Sequence, residues 1–345
     1  MNKIKKLPLS IRIVTIFLVV IVLLVTAFYG LAFIWGKTHP PAGNIKYGIT
    51  FSQLEAKHLN LDWKKAYLEI LDDLQVRDLR LPSYWTVIEK APGKYDFEET
   101  DFLVKEAGKR GARIILTVGV KQPRWPECHI PLWARQLSAS ERQQKVLDLV
   151  SVVVDRYKNE PSLYAWQVEN EPFLYPFGDN CYPPDVNFLK REIALVKSLD
   201  SRPVIISDSG ELTFWNKQMA LSDIFGTTLY RTVWNPVTRY FRYPLTPGFY
   251  SLKSDFFRSI FAPNNQKTII VELQSEPWIP SNNPVNTALS KQIEIFSVSE
   301  MKETVEFANE TGFDEIYLWG AEWWYFMKEQ GQPQYWDYAR ELFNG

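Results

Sequence analysis

Leu163-Tyr164-Ala165-Trp166-Gln167-Val168-Glu169-Asn170-Glu171-Pro172 begins as an apolar, aromatic and β-branched run of strand length and ends in three polar residues and a proline. A buried strand that emits Asn and Glu at its carboxyl end, with Pro stopping the ladder, holds a carboxylic acid rigidly at a sheet rim. About a hundred residues later Lys267-Thr268-Ile269-Ile270-Val271-Glu272 repeats the pattern, apolar residues and then a carboxylate. The remainder of the chain reads as a scaffold that brings these two strand ends together.

Working outward, apolar runs of strand length alternate with segments of helical spacing. Strands are expected over residues 46–51, 76–81, 112–118, the opening stretch, 203–207, 224–230, 267–272 and 315–319. Helices are expected over 61–74, 97–110, 140–157, 186–199, 251–261 and 291–311, with a last one near 335–343. Long loops follow the third, fourth, sixth and seventh strands, and the sixth carries an aromatic segment over 234–243. Eight repeats with continuously apolar strands imply a parallel sheet covered by helices, closed at this length into a (β/α)₈ barrel over residues 44–345. No Gly-x-Gly-x-x-Gly follows the first strand and no Walker lysine is present, which disfavours a nucleotide-binding sheet.

The N-terminus stands apart. Residues 1–12 carry Lys3, Lys5, Lys6 and Arg12 without an acid, and residues 13–35 follow without a charge, long enough to cross a bilayer core of about 30 Å. A cleaved signal has a shorter apolar core of roughly 7–15 residues, so a signal anchor is expected here, followed by a linker over 36–43. The basic flank then stays in the cytoplasm and the barrel lies on the far side of the membrane. Residues 1–37 hold five basic and no acidic residues, so the remainder carries a net charge of −6 and is ill suited to nucleic acid. Cys128 and Cys181 fall in loops after successive strands on one face, where pairing competes with two free thiols. The only histidines are His39, His58 and His129, and no Cys/His cluster has metal spacing; no cofactor is expected. The 13 Trp and 17 Tyr serve either a large core or a cleft in which aromatic faces stack on sugar rings.

In such a barrel the residues at the carboxyl ends of strands share one cleft. In order these are Arg80, Lys121 and Gln122, Asn170 and Glu171, Tyr230, Glu272 and Trp319. Two carboxylates on two strand ends suit glycosidic-bond cleavage, one protonating the leaving oxygen while the other attacks the anomeric carbon. The constellation resembles clan A glycoside hydrolases, the retaining barrel enzymes that include the cellulase-like family 5 and β-galactosidase families. Asn170-Glu171-Pro172 and Glu272 carry the resemblance most specifically. Tyr84-Trp85-Thr86-Val87-Ile88-Glu89 and Gly93-Lys94-Tyr95-Asp96-Phe97 also look like the region after the second strand in several of these families.

The resemblance implies Glu171 as acid/base and Glu272 as nucleophile, with Arg80 stabilising the latter as an anion. It implies Asn170 at the sugar 2-hydroxyl, Tyr230 donating to Glu272, and Trp319 under the attacked sugar. Gln122, Trp278 and Glu322 are further candidate sugar contacts, along with Trp125, His129, Glu276, Trp323 and Trp324 on loops above the cleft. Family 5 members often have His where this chain has Thr228, two residues before Tyr230, and after the third strand, where it has Gln122. Strand alternation leaves Glu169 as the rival of Glu171 for the inward position. The expected substrate is an oligo- or polysaccharide. A glycan-binding barrel without turnover and a transglycosylase using the same two carboxylates are the competing functions.

Overall fold

The computed structural model describes residues 9–38, 43–175, 177–262 and 266–345. Residues 1–8 of the basic flank and 39–42 of the linker lie outside the described residues. Ten strands run in chain order: β1 (Lys46–Thr50), β2 (Asp78–Pro82), β3 (Arg113–Val118), β4 (Leu163–Val168), β5 (Val204–Asp208), β6 (Ile224–Leu229), β7 (Thr232–Asn235), β8 (Arg239–Arg242), β9 (Lys267–Gln274) and β10 (Glu315–Trp319). Eight of them close a barrel in the order β1-β10-β9-β6-β5-β4-β3-β2, every ladder parallel. The (β/α)₈ expectation is met, with each expected strand within two residues of its observed ends except that β4 stops at Val168, four residues before the end of the opening stretch.

Alternation along the strands sorts the barrel interior into layers. At the amino end Arg113 pairs with Asp78 at 2.5 Å and with Glu315 at 3.0 Å, and Lys267 adds a bond of 2.9 Å to Glu315. Ile115, Ala165, Ile205, Ile269, Val271 and Tyr317 form a dry middle layer. Gly48 leaves room there for the Tyr317 ring, which a Cβ would meet at 2.7 Å. A much larger apolar layer lies between strands and helices, and holds Trp85, Trp166, Trp215 and Trp336 fully buried.

Three local expectations are corrected. Residues 291–311 form two helices, Leu289–Ile295 and Val298–Asn309, because Ser297 caps the second by accepting from the Glu300 amide at 3.2 Å. The aromatic segment after β6 is the β7–β8 hairpin, turned by Asn235, whose Oδ1 accepts from the amides of Val237 and Thr238. Residues 321–324 open a helix, Ala321–Glu329, and so are not in a loop. Cys128 and Cys181 are joined in a disulfide across 5.2 Å between Cα atoms.

The apolar N-terminal segment is a single helix, α1 (Leu9–Thr38). Within its stretch Ile13–Thr38 an 18-residue window has mean hydropathy 2.8, so the stretch is long and apolar enough to cross a bilayer by length and composition. Its last turns meet the barrel at and just before the helix Pro247–Phe261. Tyr29 donates to the Pro244 carbonyl at 2.5 Å, Phe28 meets Phe249 edge-on, Ala32 and Gly36 abut Gly248, and Trp35 donates to Asp255 at 3.1 Å.

Candidate active site

Glu272 reaches the cleft through an irregularity. Inward positions on β9 run Ile269 then Val271, so strict alternation would bury Glu272 against the helices. The register with both neighbours shifts around Val271, Thr227 facing Ile270 but Thr228 facing Glu272, and Ile316 facing Ile270 but Leu318 facing Leu273. One extra residue re-aims the next side chain, as a β-bulge does. Gly226 accommodates it, since a Cβ there would lie 2.8 Å from Val271.

Arg80 on β2 donates to Glu272 at 2.8 Å, to Gln167 at 2.7 Å and to Asn170 at 2.7 Å. It has no exposed surface, so it acts on a ligand only through these partners. The Tyr230 hydroxyl donates to the second Glu272 oxygen at 3.1 Å. Burial, with the Glu272 charge alongside, holds that phenol well above its ordinary range and therefore protonated.

After β4 the chain turns through two left-handed residues, Glu169 at φ 59° and Glu171 at φ 43°. Such non-glycine conformations are strained, and strain of this kind gathers at sites the surroundings over-determine. The turn separates the rival acids. Glu169 swings to the loop after β3 and accepts from the amides of Val120 (2.7 Å) and Lys121. Gly119, at φ 105°, leaves the space it fills. Asn170 accepts from Arg80 and from Ser207 at 3.1 Å, and donates to Glu127 at 3.3 Å. Glu171 enters the cleft, its amide donating to Ser207 at 3.0 Å and its Oε1 accepting from Thr228 at 3.3 Å. Burial pushes its carboxyl well above the usual range, and the neighbouring Glu272 charge adds to this. The two acids line one cavity of about 220 Å³ together with Glu127, Thr228, Tyr230, Trp234 and Trp278.

A second compartment of about 280 Å³ shares Glu127, Phe177, Tyr230 and Trp278 with the first and adds Arg124, Trp125, Glu276 and Trp319. Arg124 stacks 4.1 Å over Trp319 and pairs with Glu276 and, at 2.7 Å, with Glu322. Glu322 in turn accepts from the Ser52 amide. Arg124 is thus a knot joining the segments that follow β1, β3, β9 and β10. Burial raises Glu276 to about 7 even against the pull of Arg124.

Several candidates therefore sit away from the cleft-facing positions suggested for them. Glu322 is fully buried beneath Arg124. Gln122 is equally buried, spent on the Ser83 amide and the Thr117 and Gly119 carbonyls. Trp324 belongs to the core, donating to the Ser275 carbonyl, and His129 packs on Tyr84, whereas Trp323, nearly buried and donating to Gln292, borders the second compartment. Trp319 lines the cleft with one face covered by Arg124, and Trp278 lines both compartments.

The sequence reading passed over Glu127 and underused Lys121. Glu127 is a third carboxylate on the cavity, kept above its usual range by burial, with Lys121 3.4 Å away drawing it down. Lys121 and Glu127 bracket the loop that ends in Cys128, and charges of opposite sign flanking a Pro/Trp loop at a strand end were the available signal.

A protein-family model described as beta-galactosidase matches residues 57–202. Beta-galactosidase BgaA of Clostridium cellulovorans is 21% identical over 184 residues, 46% of this chain and 27% of that protein. Mannan endo-1,4-beta-mannosidase 1 of Solanum lycopersicum is 25% identical over 194 residues, 45% of this chain and 47% of that protein. This chain spans under half the length of these curated relatives. Among solved structures, a beta-galactosidase from Marinomonas ef1 superposes at TM-score 0.53 with 13% identity, covering 79% of this chain and 54% of that one. Xylanase 10B of Thermotoga petrophila gives 0.54 and 15%, covering 80% and 82%. The proteins it resembles, in sequence and in barrel, are glycoside hydrolases.

Proposed function

We propose that this barrel is a retaining β-glycoside hydrolase, with Glu171 as acid/base and Glu272 as nucleophile, held at a membrane by α1. The carrying observation is the unequal treatment of two carboxyls on one cavity. Glu171 is kept protonated by burial and by its neighbour's charge, whereas Glu272 meets a buried guanidinium and a phenol. Environments that push paired acids apart assign their roles. Glu272 attacks the anomeric carbon as Glu171 gives its proton to the departing oxygen. Water then attacks the glycosyl–Glu272 ester, its proton returning to Glu171, so that H and OH are added across the glycosidic bond. Asn170, fixed by Arg80 and Ser207, is placed to meet the sugar 2-hydroxyl. The catalytic unit is residues 44–345, and the substrate an oligo- or polysaccharide with a β-linkage.

The test uses the full chain in detergent with aryl β-glycosides and β-linked oligosaccharides. Glu272→Gln is expected to abolish turnover, a loss of at least about 10⁴-fold. Glu171→Gln is expected to spare activated aryl leaving groups relative to unactivated ones, and proton NMR to show retained anomeric configuration. Saturable glycan binding that survives both substitutions, with no turnover on any substrate, would leave a binding barrel instead.

A further inference from the structure

The direction in which α1 leaves the barrel fixes which end of the barrel meets the bilayer. The helix Pro247–Phe261 connects β6 to its parallel neighbour β9. It must therefore run back from the strands' carboxyl ends, where the cleft lies, to the opposite end. The outermost hydrogen bonds advance with it, Tyr29 to Pro244 and Trp35 to Asp255, while Phe28 meets Phe249 and Ala32 and Gly36 straddle Gly248 at the closest approach. The two helices thus run in the same sense, and α1 descends beside the barrel to the end where β1 begins. What precedes Phe28 projects from the cleft side. Ile13, Ile16, Phe17, Val22, Leu23 and Val25 are all exposed there.

At 1.5 Å per residue, residues 13–27 rise roughly 22 Å, short of the ~30 Å hydrocarbon core. Residues 28–35 complete the span beside residues 244–255, where the next helix leaves the rim loops. Those loops carry apolar side chains that the barrel does not cover. Val237, at the hairpin tip, is 88% exposed, Phe214 78% and Leu212 61%. Tyr240 and Phe241 on β8 are exposed too, flanked by the exposed Arg239 and Arg242. Aromatic and arginine side chains around an apolar tip suit the headgroup layer of a membrane.

We infer that the barrel sits mouth-down on the bilayer that α1 enters, with the β7–β8 hairpin in the headgroup layer, and that the cleft takes glycan carried on a membrane lipid. The inference rests on the anchor and hydrolase readings above, and the experiment separates their failures. The chain's only cysteines are paired in the disulfide, so single thiols can be labelled cleanly. Val237→Cys and Asn159→Cys, the latter exposed beyond the helix Ala139–Tyr157 at the far end, are each labelled with bimane. The full chain is then placed in nanodiscs containing a headgroup-nitroxide lipid. Quenching of at least about two-fold at 237, with none at 159, is expected. Equal quenching, or quenching at 159 alone, overturns the orientation. Failure of the full chain to enter nanodiscs overturns the anchor and the orientation with it.

A second arm compares one oligosaccharide, free and as the headgroup of a lipid in the same discs. Val237→Asp with Phe241→Asp is expected to slow cleavage of the lipid-borne form several-fold and leave the free form unchanged. Cleavage of the free form alone overturns the lipid-borne substrate. Cleavage of neither overturns the hydrolase reading, while the labels still report the orientation.

Discussion

Arg80 carries a permanent charge with no exposed surface, and its planar fork contacts Glu272, Gln167 and Asn170 at once. Removing one partner of a buried pair strands the other charge. Arg80→Met is expected to destabilise the barrel by about 3–5 kcal/mol in urea unfolding and to lower kcat more than KM. Arg80→Lys restores a charge without the fork, and should recover more stability than activity. A smaller loss of kcat in Met than in Lys would contradict the positioning role. The acids themselves were legible because each closes an apolar run. How they are aimed was not, since alternation sends Glu169 inward along with Glu171 and turns Glu272 outward. Two left-handed residues and one bulge reverse both outcomes, and these are tertiary events without a local residue signature.

Among elements, the loops after β3 and β4 do most to shape the rim, and the disulfide binds them together. It closes a stretch of 53 residues, which on the chain-entropy account contributes about 4 kcal/mol. Cys128→Ser paired with Cys181→Ser is expected to lower Tm by several degrees. It should raise KM on oligosaccharides more than it lowers kcat, because Glu127 and Phe177 adjoin the bridge while Glu171 and Glu272 sit on strand ends. An unchanged KM would show that the rim holds its shape unaided. Strands and most helices were readable from period and apolar runs. The hairpin was not, because its strands are only four residues each, Thr232–Asn235 and Arg239–Arg242, on a surface the barrel leaves uncovered, and the helix break at Ser297 rests on one cap.

Across the molecule, buried carboxyls pushed upward share one direction. Asp208 and Glu276 rise to about 7, and Glu171 and Glu192 well above their usual range, each chiefly through burial. Such a group holds a proton in the folded chain that the unfolded chain has already released. Stability is therefore fullest below about pH 4 for that group and is lost as pH rises from there to about 7. Tm is expected to fall between pH 4.5 and 7.5, and Asp208→Asn to flatten that fall by up to about 4 kcal/mol. Gln218, whose Oε1 lacks a partner among the described residues, can turn to receive the new amide. A Tm profile of the variant parallel to that of the parent protein would contradict the assignment. The Arg124 knot bears on how such a cleft can change over generations. Arg124, Glu276 and Glu322 depend on one another, with the Ser52 backbone amide closing the set, so altering any one of the three charged side chains alone leaves a buried charge short of a partner. Trp125, Phe177 and Trp278 line the same compartment without that mutual dependence. Descendants of this chain can acquire new ligand preferences one step at a time along the rim, whereas the floor beneath Arg124 can be rebuilt only by several substitutions arriving together.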